Sequence, residues 1–115
     1  RDLTRRLIVT TPLPDRLLCQ LELALLRDCG CTKTLARLEE TAREQGLTGA
    51  EIDAALSGRS FEARGSVMLA FACALKEGRA DLAANVRARS QALGMSEADL
   101  DSVAEYARRL LAPGS

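Results

Sequence analysis

Residues 61–75 read Phe-Glu-Ala-Arg-Gly-Ser-Val-Met-Leu-Ala-Phe-Ala-Cys-Ala-Leu. Val67, Leu69, Ala70, Phe71, Ala74 and Leu75 are too dense and too widely spread around a 3.6-residue turn to form one apolar stripe. That density predicts a helix from Ser60 to about Glu77 at the centre of the fold. Gly78 then stops it, and a further helix is expected over about Ala80–Leu93, with Leu82 and Val86 inward. Gly94 follows as a second stop, Ser96 and Asp99 have the spacing of a cap, and a last helix runs to about Leu111.

Working outward to the N-terminal side, the same grammar recurs. Pro12 and Pro14 bar a helix before residue 14, and Pro14 suits a first turn. Leu17, Leu18, Leu21, Leu25 and Leu26 recur at helical steps through about Asp28. Gly30 interrupts, and Thr32 is the expected cap of a helix reaching about Gln45, with Leu35, Leu38 and Ala42 on one face. Gly46 stops it, and Thr48 with Glu51 forms a capping-box pattern before a short helix carrying Ile52 and Leu56. Gly46–Ile52 thus parallels Gly94–Leu100. Shared capping rules explain such a likeness, and so does an internal duplication; sequence alone leaves both open.

The expectation is an all-α single domain of about six helices over residues 14–111. An irregular arm, with the β-branched run Ile8–Thr11, precedes it at 1–13, and a tail follows at 112–115. Composition agrees. Leucine and alanine lead the apolar set, and only three of the 115 residues are aromatic. No stretch has the length and apolarity of a membrane span or the layout of a signal peptide, so no membrane partner is expected. Four cysteines in so helical a chain do not read as a secreted disulfide framework, so a reducing, cytoplasmic setting is expected.

The chain contains no histidine. This removes Ser-His-Asp and Cys-His relays and any histidine-held metal or haem. No cofactor is expected. A four-cysteine metal site is disfavoured because only one cysteine pair is close, and its one-residue gap is wrong for zinc. Sixteen basic residues balance sixteen acidic ones, which leaves no general footprint for nucleic acid. A helix-turn-helix over Thr34–Leu56 fails on charge: the second helix, Gly49–Ser57, carries Glu51 and Asp53 and no base.

Chemistry concentrates at Cys29-Gly30-Cys31, between two helices. A helix N-terminus favours thiolate over thiol, so Cys31 is the candidate nucleophile and Cys29 the candidate resolving thiol, with Lys33 a nearby cation and Asp28 an opposing charge. A disulfide across a single residue closes a tight, readily reduced ring. Incidental thiols at a helix corner are the competing reading. Cys19 and Cys73 lie on apolar stretches and are read as core.

The corner Asp28–Leu35, with Ala42–Leu56, Phe61–Leu75 and Ala92–Glu105, resembles the alkylhydroperoxidase-D and carboxymuconolactone decarboxylase family across about residues 14–111. The resemblance implies an alkylhydroperoxidase-D-like bundle that assembles as a dimer, trimer or hexamer. It also implies thiol-dependent reduction of a hydroperoxide or a disulfide. The family's redox members carry C-x-x-C-x-x-x-H. Only Cys31 carries over directly, as the peroxide-reducing cysteine. The first cysteine falls on Asp28, leaving Cys29 one residue out of register, and the histidine falls on Leu35. The family's relay glutamate falls near Arg16, where Asp15 and Glu22 are acids; Glu22 is taken as the candidate proton donor. The implied activity is a weak thiol peroxidase or disulfide reductase, and the alternative is a non-catalytic scaffold or small-ligand binder.

Overall fold

The computed structural model describes residues 13–28 and 30–112. Most of the expected arm, the end of the tail and Cys29 lie outside these residues. Among the described residues the chain is all helical: α1 (Asp15–Leu26), α2 (Thr32–Glu44), α3 (Gly49–Leu56), α4 (Ala63–Lys76), α5 (Ala80–Ala92) and α6 (Glu97–Leu111).

The likeness between the two corners extends to the whole fold. The starts of α1 and α4, of α2 and α5, and of α3 and α6 each lie 48 residues apart. Helix α1 packs on α2 and α3, α4 packs on α5 and α6, and α1 against α4 joins the halves. Both capping boxes are closed in both directions, Thr48 with Glu51 and Ser96 with Asp99. Behind each box, the amide that follows the glycine stop bonds back into the preceding helix, Leu47 to the Ala42 carbonyl and Met95 to the Ser90 carbonyl, both at 3.0 Å. Capping rules alone do not require equal helix spacing throughout, so the architecture is that of a repeated three-helix unit.

The core is aliphatic and is built mainly from the two leading helices. Leu21, Leu23 and Leu25 of α1 and Leu69, Phe71 and Ala72 of α4 are buried, and Ile52, Val86, Leu100 and Val103 close over them. Each fully buried Leu or Phe contributes about 1.5–3 kcal/mol from area alone, which makes the α1–α4 seam the main source of stability. The expected central helix is therefore central. Leu75, grouped with its buried face from sequence, instead keeps 39% of its surface in water.

Two helix starts differ from expectation. Thr32 is the first helical residue and Cys31 is the cap. Ser60 precedes α4 by three residues, and Glu62 occupies the cap. Ser60 is held by Ser66: its amide donates to Ser66 Oγ at 2.9 Å, and Ser66 Oγ donates to the Ser60 carbonyl at 2.7 Å. That exchange satisfies the Ser60 backbone outside the helix. It also explains Gly65, where a Cβ would stand 2.7 Å from Ser60 Oγ. No helix among the described residues is long and apolar enough to cross a membrane.

Candidate functional site: the cysteine corner

The corner is made by the end of α1 and the start of α2. Gly30, at φ +77°, turns the chain in a conformation that side-chain-bearing residues rarely adopt. Cys31 then enters extended geometry (φ −102°, ψ 100°), and its carbonyl accepts the first helical bond, from Leu35 N–H at 3.1 Å. Its side chain is exposed.

The Cys31 sulfur sits where anionic charge is favoured. Thr34 Oγ1 donates a hydrogen bond to Cys31 Sγ at 3.0 Å. That bond is the main reason the thiol is held below its ordinary value; the Thr34 and Lys33 backbone amides and the Arg37 charge act in the same direction. Lys33 thus acts through its backbone amide, while the side-chain cation that contributes is Arg37. Thr34 was not among the residues singled out from sequence. Its signal was a hydroxyl three residues after a cap, legible only once the cap is placed on Cys31 rather than Thr32.

Asp28, expected to oppose the thiolate, is bound by Lys76 from the end of α4. Lys76 Nζ also donates to the Leu25 carbonyl at 2.6 Å, so one ammonium holds both a corner side chain and a terminal carbonyl of α1. The same ion pair holds the Asp28 carboxyl below its usual range. Cys73 lies close by, in the charge environment of Arg27, Lys76 and Asp28. Burial pushes its thiol up, as it does for Cys19 within the core.

Glu22 is committed to another structure. Tyr106 of α6 donates its hydroxyl proton to Glu22 Oε2 at 2.6 Å. Burial and this carboxylate raise the Tyr106 phenol above its ordinary value, so the tyrosine is a durable donor. The structure thereby joins Glu22 to the α1–α6 seam, and the groups that tune Cys31 are Thr34, Lys33 and Arg37. Among the described residues no three cysteine or carboxylate side chains converge as metal ligands. No protein-family model, curated protein or solved structure matches this chain.

Proposed function

We propose that the Cys31 corner is a peroxide- or disulfide-reactive thiol site and that the chain acts as a weak thiol-dependent peroxidase or disulfide reductase. The observation that carries the reading is an exposed cysteine at a helix cap whose sulfur accepts the Thr34 hydroxyl and whose thiol is held low. In the reaction, Cys31 thiolate attacks the distal oxygen of a hydroperoxide. The O–O bond breaks, Cys31 becomes a sulfenic acid, and the alkoxide takes a proton from water and leaves as the alcohol. Cys29 thiol then displaces hydroxide from the Cys31 sulfur, forming the disulfide and releasing water. An external dithiol returns both cysteines to the reduced state. A disulfide substrate enters by attack of the same thiolate on one of its sulfurs: its S–S bond breaks, one half leaves as a thiolate, and Cys29 then attacks the mixed disulfide at Cys31, releasing the other half. The chain has no histidine, and Glu22 is bonded to Tyr106. Proton delivery to the leaving oxygen therefore falls to water, without the roughly 10²–10⁴-fold help of a positioned acid. The accompanying proposals are a reducing, cytoplasmic setting and a homo-oligomeric assembly.

One observation favours a non-catalytic scaffold as a second reading: the expected acid is engaged with Tyr106 rather than with the corner. Treatment of reduced protein with tert-butyl hydroperoxide separates the two readings. The thiol reading expects sulfenic acid trapped by dimedone at Cys31, a Cys29–Cys31 disulfide without the trap, and loss of peroxide consumption in Cys31→Ser. A Cys31 that stays reduced, with Cys31→Ser consuming peroxide as the parent does, establishes the scaffold.

A further inference from the structure

The two halves of the molecule differ beside α4. In the first half the cleft between α1 and α3 is spanned by Arg27, whose guanidinium donates to the Leu56 carbonyl at 3.2 Å. The residue 48 positions on is Leu75, whose side chain can donate no such bond. Helices α5 and α6 pack on α4 far more than on each other, which leaves open grooves on both sides of Leu75. The larger, about 770 Å³, lies between α4 and α6, with Leu75, Ala107 and Leu111 on its walls. The smaller, about 430 Å³, lies between α4 and α5 and presents Ala80, Ala84 and Ala88.

Charge decides what such a surface accepts. Every charged residue lining the two grooves is basic: Lys76, Arg108 and Arg109 along the larger, Arg87 along the smaller. Asp28, Glu105 and Glu97 pair with Lys76, Arg108 and Arg87 from outside the walls and offset part of their charge, so that Arg109 is the lining cation with no carboxylate partner among the described residues. Arg87 also lies over the Phe71 ring, 5.2 Å from its centroid, so this cation is part of the wall.

We infer that the α4–α6 groove docks an amphipathic helix of a partner protein, apolar on one face and acidic along its flanks. From Ala104 to Leu111 the groove runs about 10 Å along α6, two helical turns, the reach of an i, i+3/i+4, i+7 set of anchors. Its openness suits a helix laid into it better than a small molecule, which needs enclosure. A second copy of this chain is the competing occupant, and self-association on sedimentation of the chain alone distinguishes it. A membrane takes up protruding apolar residues, whereas Leu75 lines a concavity. The proposal uses none of the corner chemistry.

The probe is an 18-residue peptide with leucine at i, i+3, i+4 and i+7 and glutamate on its flanks, set against the same peptide with lysine flanks. The full chain, labelled at its N-terminus, is titrated with each and then sedimented alone. The expected result is tighter binding of the acidic peptide by at least about tenfold, weakening with salt. Leu75→Asp weakens it at least about tenfold, and Arg109→Glu, at an exposed position, shifts preference toward the lysine peptide. Circular dichroism checks that both variants keep parental helicity. Four results overturn the proposal: no binding; equal binding of both peptides; binding indifferent to both variants; or loss through Leu75→Asp of self-association or of binding to phosphatidylserine vesicles in place of peptide binding.

Discussion

The corner at residues 28–31 and its counterpart at 76–79 use one backbone for two purposes. Gly30 and Gly78 both turn at positive φ, +77° and +70°. Cys31 caps α2 at φ −102°, ψ 100°, and Arg79 caps α5 at φ −94°, ψ 82°. The side chains share nothing: Cys29, Cys31 and Thr34 stand opposite Glu77, Arg79 and Leu82. A scaffold that needs only the glycine has thus been built twice, and thiols stand at one copy alone. The cysteines are therefore not required by the turn, and their effects on stability and on reactivity should separate cleanly.

The largest expected effects test whether the halves are equivalent in their core. Leu21 and Leu69 are matched positions with no exposed surface. Leu21→Ala and Leu69→Ala should each cost about 3 kcal/mol in urea unfolding, lowering Tm by more than about 10 °C. A large cost for one and a small cost for the other would break the equivalence. Next come Gly30→Ala and Gly78→Ala, each expected to cost about 1–2 kcal/mol because alanine resists positive φ. Unequal losses would mean that one turn relaxes. Smallest is the transplant of the second corner onto the first. Cys29→Glu with Cys31→Arg should change stability by no more than about 0.5 kcal/mol while abolishing reaction with peroxide.

These expectations also mark what a sequence can disclose. Pro14, the glycine stops and both capping boxes are local chemistry, carried by residues within a few positions of one another, and they set four of the six helix starts: Asp15 after Pro14, Gly49 after Thr48, Ala80 after Gly78 and Glu97 after Ser96. Ser60 misled because its backbone is satisfied by Ser66 rather than by a helix. Thr32 misled because a hydroxyl is the usual cap, whereas here the Cys31 residue takes that place and its sulfur draws a bond from Thr34. At the site, Cys31 was legible from its place before a helix, but Thr34 depended on getting that cap right. The engagement of Glu22 by Tyr106, 84 residues away, is a product of how α6 crosses α1, as is the Asp28–Lys76 pair of how α1 meets α4. The exposure of Leu75 likewise depends on how far α5 stands from α6, which no local pattern encodes.

The central claim is that the structure activates Cys31 and no other described cysteine. Its sulfur is stabilised as the anion by the Thr34 hydroxyl, whereas Cys19 and Cys73 are pushed the other way by burial. The sign is definite: a depressed thiol is already ionised at a pH where an ordinary one is protonated, and it loses reactivity only as pH falls through the lowered value. The most direct measurement is the pH dependence of iodoacetamide alkylation at each cysteine of the reduced protein, read by peptide mass, in the parent and in Thr34→Val. The account predicts a Cys31 midpoint below the ordinary thiol value of about 8.5, shifting upward in Thr34→Val, with Cys19 and Cys73 reacting later. A Cys31 midpoint at or above that value, unmoved by Thr34→Val, would contradict it.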